Sequence, residues 1–252
     1  MPRTKPGVGK GVLHPGAGVG KFEVRRFHPD PDLAPFVEHL WTVRWDLGDA
    51  PPFVQRTLPD PAVHIVFERD RSEIVGVVRG RFERVLVGAG RVFSAKLHPG
   101  GLAWLGVEDA SRLTNRRVAV DDLFAGVDVA AREAAILGAA SEEAMAVELQ
   151  AFLRSVAPRA SAEAARARAL VERVRDDPAI RAPSDLADRA GLGLRSMQRL
   201  FKRYVGVSPR WVIHRFRLQE AAEVLARGER GLAELAAELG FADQAHFTRA
   251  FR

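Results

Sequence analysis

Residues 185–203 read Asp185-Leu186-Ala187-Asp188-Arg189-Ala190-Gly191-Leu192-Gly193-Leu194-Arg195-Ser196-Met197-Gln198-Arg199-Leu200-Phe201-Lys202-Arg203. The stretch has the pattern of two short helices joined by a tight turn. Leu186, Ala187 and Ala190 give the first helix an apolar stripe, Gly191 stands where the chain must turn, and Met197, Leu200 and Phe201 recur at i, i+3 and i+4 in the second. Arg195, Ser196, Gln198, Arg199 and Lys202 are left on the other face. Arginine and glutamine can make bidentate hydrogen bonds to base edges, and a helix is the element that fits a DNA major groove. The plain alternative is a surface helix pair in a bundle.

A second copy shifts the balance. Leu235-Ala236-Ala237-Glu238-Leu239-Gly240-Phe241 repeats 186–192 at a spacing of 49 residues, and His246-Phe247-Thr248-Arg249-Ala250-Phe251 repeats 196–201 at a spacing of 50. The slip of one residue falls in the turn, where insertions are tolerated. Between the copies stands Gly206-Val207-Ser208-Pro209, then a run from Arg210 to about Arg227 with no Gly or Pro. Ser208 as N-cap and Pro209 at the first helical position predict a helix start. A helix of about 20 residues is roughly 30 Å long, close to the roughly 34 Å between successive major-groove faces on one side of a duplex. One connecting helix would set two reading heads a helical turn apart, seated by Trp211, Ile213 or Phe216, Leu218, Ala221, Val224 and Leu225.

These residues carry a resemblance to the DNA-binding domain of the AraC/XylS family of bacterial transcription regulators. It covers roughly Ser161 to Arg252 and rests on Gly-x-Ser-Pro at 206–209, Arg217-Leu218 followed by Ala221, and Gly240-Phe241 ahead of Phe247-x-x-x-Phe251. The resemblance implies that Arg195, Ser196, Gln198, Arg199 and Lys202 belong to a first DNA-contacting helix, and Gln244, His246, Thr248 and Arg249 to a second. Family members usually run on for a further turn and a closing helix beyond the position of Arg252. The expectation is therefore a second head cut short and specificity carried mainly by the first.

Charge is unevenly placed along the 252 residues, whose net charge is +6. Residues 1–21 carry Arg3, Lys5, Lys10 and Lys21 and no acid, residues 161–252 hold 17 basic against 12 acidic side chains, and the middle is acidic. Affinity for a polyanion is expected from the C-terminal region. There is no cysteine, which excludes disulfides, thiolate catalysis and Cys-ligated metals. No apolar run reaches the roughly 18 residues of a membrane span and no signal peptide is legible, so a cytoplasmic protein with no membrane partner is expected.

Residues 1–20 contain six glycines and three prolines and read as a flexible basic tail. From Phe22 the pattern is of strands: Leu40–Leu47 alternates with period two, and Phe53–Leu58, Val63–Glu68, Ile74–Val78, Val85–Val87 and Val92–Leu97 follow, with Pro31–Glu38 as a short helix. After Pro99-Gly100-Gly101 come helices at Asp109–Leu113, Val120–Phe124, Val127–Leu137 and Ser141–Val156. Residues 158–160 mark a linker, and Ala164–Arg175 opens the last domain. The fold class expected is α+β in two domains. Residues 21–157 form a small antiparallel β-barrel or sandwich with a helical appendage, and residues 161–252 form an all-α domain with two helix-turn-helix motifs joined by a long helix.

In the β-rich part, Trp41, Trp45, Arg56, His64 and Trp104 could line an aromatic pocket with one cationic group; core packing is the alternative for the tryptophans. His28, His39, His64 and His98 show no metal-ligand spacing, and Pro59-Asp60-Pro61 reads as a turn. Phosphate loops, nucleophile elbows and His-Glu-x-x-His are absent from the sequence, so neither a cofactor nor a catalytic residue is assigned. The resemblance implies a transcription regulator with a ligand-sensing or dimerising N-terminal domain. Its partners would be double-stranded DNA through the major groove, a small-molecule effector, RNA polymerase and a second copy of the chain. The alternative is a cupin-type metal-dependent enzyme with a DNA-binding tail.

Overall fold

The computed structural model describes residues 18, 20–69, 71–124, 126–156 and 159–226. The tail and the second reading head, with Gln244, His246, Thr248 and Arg249, lie outside the described residues. The described residues form eight strands: β1 (Phe22–Phe27), β2 (Val37–Asp46), β3 (Phe53–Thr57), β4 (His64–Glu68), β5 (Glu73–Val75), β6 (Phe82–Leu86), β7 (Ala89–Leu97) and β8 (Arg117–Ala119). Six form one antiparallel sheet in the order β1-β2-β7-β4-β5-β8, while β3 and β6 pair with each other as a separate ribbon.

Period-two alternation sends the side chains of this sheet to two different layers. Trp41, Val43 and Trp45 of β2 turn to the ribbon, where they pack with Phe22, Phe53, Leu86 and Val92. Leu40, Ile65, Phe67, Phe93, Ala95 and Leu97 turn the other way into the main core. That face is covered by α3 (Val129–Gly138) and α4 (Glu142–Ser155), with the Phe152 ring centred 5.2 Å from Phe67. Asp128 and Ser141 start these two helices by accepting the amides of Ala131 and Ala144.

The sheet is open, which corrects the barrel half of the expectation. Its edges, β1 and β8, are five places apart in the strand order, and β8 lasts three residues before Val120 begins α2 (Val120–Leu123), too short to wrap the sheet closed. The helix expected at Pro31–Glu38 is a series of turns running into β2. Asp30 O accepts from Leu33 and Ala34, and Leu33 O from Phe36 and Val37, while Pro31 and Pro35 have no amide to donate to a helical ladder.

Short helical pieces lie between β7 and β8, α1 (Gly101–Trp104) and a 3₁₀ turn at Ala110–Leu113. The C-terminal helices are α5 (Ala162–Asp176), α6 (Pro183–Ala190), α7 (Leu194–Leu200) and α8 (Pro209–Ala226). One apolar cluster runs from Phe27 and Ile65 through Leu102 and Leu105 to Leu170, Leu186, Met197 and Phe216. The helices after Ser161 therefore share their core with the sheet, and the Arg159 amide donates to Trp104 O at 2.6 Å.

Candidate nucleic-acid interface

The α6–turn–α7 unit is specified locally at each joint. Pro183 occupies the first turn of α6, and the Asp185 carboxylate accepts the amides of Arg181 and Ala182, both at 2.9 Å, which holds its pKa below the usual carboxylate range. At the far end Gly191 takes φ 59°, Leu192 N–H donates to Ala187 O, and Gly191 N–H donates to Asp188 O. This is the left-handed helix stop in which glycine carries no Cβ penalty. Leu192 then packs on the core, fixing the exit of the chain.

In α7 the sequence period becomes two faces. Met197 and Phe201 are fully buried, while Arg195, Ser196, Gln198, Arg199 and Lys202 are exposed. The polar set expected to face DNA is thus brought together on one accessible surface. Arg199 reaches no further than Ser196 Oγ at 3.5 Å, and among the described residues no carboxylate forms an ion pair with Arg195, Arg199 or Lys202. Leu194 opens the helix with 45% of its surface exposed, a residue the sequence reading passed over because it fits an apolar helix period.

Helix α7 widens into a π turn at Phe201–Val205 that anchors it. Tyr204 Oη donates to Glu163 of α5, Arg203 Nε donates to Glu108 O at 3.2 Å, and Gly206 ends the turn at φ 89°. Thr114 Oγ1 donates to Gly206 O at 2.6 Å, and a Cβ at Gly206 would come within 2.9 Å of both Ala110 O and Thr114 Oγ1. Glycine is required there by conformation and by space.

Ser208 starts α8 as the sequence predicts, accepting the Trp211 amide at 3.2 Å. Residues Trp211, Arg215 and Gln219, spaced four apart, face the sheet-bearing part of the chain. Trp211 Nε1 donates to Arg79 O at 3.3 Å, and Arg215, lying 4.9 Å over the Trp211 ring, donates to the same carbonyl at 2.5 Å. Burial of Arg215 pushes its pKa down to about 10. Gln219 Nε2 donates to Leu58 O at 3.1 Å and to Asp60 Oδ1 at 2.8 Å.

Asp60 is the hub of this junction. Its second oxygen pairs with Lys96 Nζ, which also lies 3.0 Å from Glu38 Oε1. Lys96 is 8% exposed and stands in register between His39 on β2 and His64 on β4. Burial disfavours every charge in the group, but the opposite charges outweigh it: Lys96 is pushed above its ordinary pKa, and Asp60 and Glu38 are held below theirs.

Residues 25–119 match the model of a domain of unknown function (DUF6597), and residues 186–252 match that of a helix-turn-helix domain. The HTH-type transcriptional activator RhaS of Escherichia fergusonii is 36% identical over 67 residues, which are 27% of this chain and 24% of that protein. RhaS of Escherichia coli is 34% identical over the same length. By its C-terminal region the chain is similar to these HTH-type transcriptional activators. The matched stretch spans about a quarter of their length. Among solved structures, ToxT from Vibrio cholerae O395 is similar at a TM-score of 0.40 and 14% identity, over 84% of this chain and 92% of that one. The AraC-like transcriptional activator CuxR matches at a TM-score of 0.25 and 15% identity, over 88% and 95%.

Outside the helix-turn-helix region, the residues expected to form an aromatic pocket are dispersed. Trp41 Nε1 donates to His64 Nδ1 at 3.2 Å with the rings edge to face, and burial together with Lys96 pushes the His64 pKa to about 3. Trp45 is buried beneath the ribbon with Nε1 on Val87 O. Arg56 is exposed on β3 against Glu83, and Trp104 packs on Phe36 with ring centroids 5.2 Å apart. Of the five, Trp41 and His64 are the pair that hydrogen-bond to each other. Asp60, read as a turn residue, and Gln219, not singled out in the sequence, carry the junction instead.

Proposed function

We propose that this chain is a sequence-specific, double-stranded-DNA-binding transcription regulator whose first reading head is α7. In that reading Arg195, Gln198 and Arg199 address base edges in the major groove, Lys202 addresses a phosphate, and Ser196 sits between them. Leu194 adds an apolar contact at the helix start, suited to a thymine methyl. The observation that supports this most directly is the uncommitted state of the α7 face: five polar side chains exposed together over a buried Met197 and Phe201. A structural surface helix would ordinarily pair such cations with neighbouring carboxylates, as Arg168 does with Glu172 on α5.

Residues 21–157 are the regulatory part in this reading. The hold of Asp60, Leu58 and Arg79 on α8 gives them mechanical access to the helix that leads towards the second head. Control by a small effector, by a second copy of the chain or through RNA polymerase would act by that route. The test is competitive binding to a selected cognate duplex and a scrambled one over a salt series. Loss of cognate preference in Gln198→Ala and Arg195→Ala supports the reading; an unchanged cognate-to-scrambled ratio in both overturns it.

A further inference from the structure

Between the sheet and helices α5 and α8 lies a cavity of about 290 Å3. Glu38, Asp60 and Lys96 line it from the strand side, and Glu172, Gln219 and Glu220 from the helices, with Phe216 and Val171 as apolar wall. At the roughly 30 Å3 that a water occupies in the liquid, it has room for about ten non-hydrogen atoms. The mixture of an apolar wall and a few converging polar groups is that of a small-ligand site.

The charges facing it set the ligand class. Four carboxylates, Glu38, Asp60, Glu172 and Glu220, and two cations, Lys96 and Arg175, line it, while Arg168 and Arg217 pair with Glu172 and Glu220 from beside it. Lys96 is engaged by Glu38 and Asp60, and Arg175 by Asp176 at 2.8 Å. His98, also in the lining, stays neutral at pH 7 because burial and Arg168 push its pKa to about 4. Glu172 Oε1 accepts from Arg168 at 2.7 Å and Glu38 Oε1 from Lys96, while among the described residues the second oxygen of each accepts no hydrogen bond. The His98 ring is likewise without a hydrogen bond among the described residues. An anion entering here would meet the carboxylates of both walls, and every cation beside it already has a carboxylate partner. A cation finds acceptors on both walls.

We propose that this cavity binds a small organic cation, an amine or guanidine of about ten non-hydrogen atoms, whose N–H groups are shared among Asp60, Glu38 and Glu172. Occupancy is coupled to α8 through one contact. Asp60 Oδ1 is held at 2.8 Å by the neutral amide of Gln219. A charged N–H makes a hydrogen bond roughly twice as strong as a neutral one, so the ligand takes this oxygen and leaves Gln219, 5% exposed, with Leu58 O alone. Helix α8 loses a tie to the sheet when the cavity fills. This second step rests on the reading of α8 as part of a DNA-binding apparatus; binding of the cation does not.

The test is calorimetric titration of the full chain with agmatine, putrescine and spermidine, with butyrate as the anionic probe. At least one amine is expected to bind with one-to-one stoichiometry, and butyrate not to bind. Glu172→Gln, whose partner Arg168 is on its own helix, should weaken the amine about tenfold or more with little change in melting temperature. Glu38→Gln is the second variant for the same loss. Binding of none of the three amines at millimolar concentration overturns the proposal, as does butyrate binding equally well or affinity surviving both substitutions. The amine that binds should shift affinity for the cognate duplex about fivefold or more, and by reciprocity the duplex should shift amine affinity by the same factor. Gln219→Ala should retain or tighten amine binding and abolish that shift. Amine binding by a chain that binds no duplex would remove the regulator reading and leave the cavity assignment standing. Duplex binding indifferent to bound amine would remove the coupling.

Discussion

Asp60→Asn isolates the charge at the centre of the junction without changing its shape. The asparagine oxygen can still accept from Gln219, so the α8 contact at 2.8 Å is kept in form, and what disappears is the negative charge opposite Lys96. Removing one partner of a buried ion pair costs about 3–5 kcal/mol. Here Lys96 keeps Glu38 at 3.0 Å and the Asp60 side chain is 27% exposed, so the loss should lie nearer that of one charge-assisted hydrogen bond, about 2 kcal/mol. In a chain of this size that is a fall of roughly 4–8 °C in melting temperature. The sign of its pH dependence follows from Asp60 having a folded pKa below its unfolded one. Such a group contributes stability fully above the unfolded value, near 4, and loses it as pH falls through the lower folded value. The gap between wild type and Asp60→Asn should therefore be full at pH 7 and shrink below about pH 4. Thermal denaturation of both proteins across that range is the assay. A gap absent at pH 7, or constant down to pH 3 (about one unit below the ordinary aspartate pKa), would refute the argument that opposite charge outweighs burial here.

Gln198→Ala should cost about a factor of ten or more on a cognate duplex, from the about 1–3 kcal/mol of a bidentate base contact, with little effect on random DNA. Lys202→Ala should weaken both alike and lower the salt slope by about one unit, read from binding over a salt series. Ala221→Pro, in the buried interior of α8, should cost about 3 kcal/mol or more and abolish tight binding to a two-segment site, measured by gel shift. Residues 161–252 expressed alone should stay folded around Leu170, Val174, Leu186 and Met197 and bind the same duplex with altered affinity; an insoluble or sequence-blind fragment would show that the two parts are not separable.

The parts legible in sequence were those set by local rules. Gly191, Ser208 and Pro209 mark their joints because capping and φ preferences act within a few residues, and all three stand where the sequence places them. The strand at 40–47 was legible because Trp41, Val43 and Trp45 alternate, and the structure starts it earlier, at Val37, and ends it at Asp46, one residue short of Leu47. Closure was not legible: whether the strand at 82–86 pairs with 53–57 or joins the larger sheet is decided by partners far apart in the chain. Strand β8 carried no signal because three residues cannot show a period. The role of Asp60 was hidden by its two flanking prolines, which report a turn whatever the carboxylate does. Lys96 gave no warning either, because it alternates with Phe93, Ala95 and Leu97 and so reads as a solvent-facing position of the strand, whereas it is buried against Asp60 and Glu38.

Helix α8 shows why such misfit residues carry more positional information than its apolar ones. It is buried on most sides, so Val212, Ile213, Phe216 and Leu218 would be satisfied against many apolar surfaces and at several rotations. Its polar residues would not. Arg217 donates to Val174 O at 2.5 Å at the C-terminal end of α5, where the carbonyls of a helix end lack intrahelical partners, and it holds Glu220 on its other side. Arg215 requires the Arg79 carbonyl and Gln219 those of Leu58 and Asp60. Each of these groups, 4–5% exposed, costs free energy wherever its partner is missing. Rotating α8 by one residue, about 100°, or sliding it by one turn, about 5.4 Å, breaks all three sets together. The docked position is therefore fixed by polar contacts to two different parts of the chain, α5 on one side and the sheet-bearing region on the other. Both sets border the cavity, the sheet-side one through Gln219 and Asp60 and the other through Glu220, the partner of Arg217, so a ligand there touches contacts that set the position of α8 without entering the helix-turn-helix beside it.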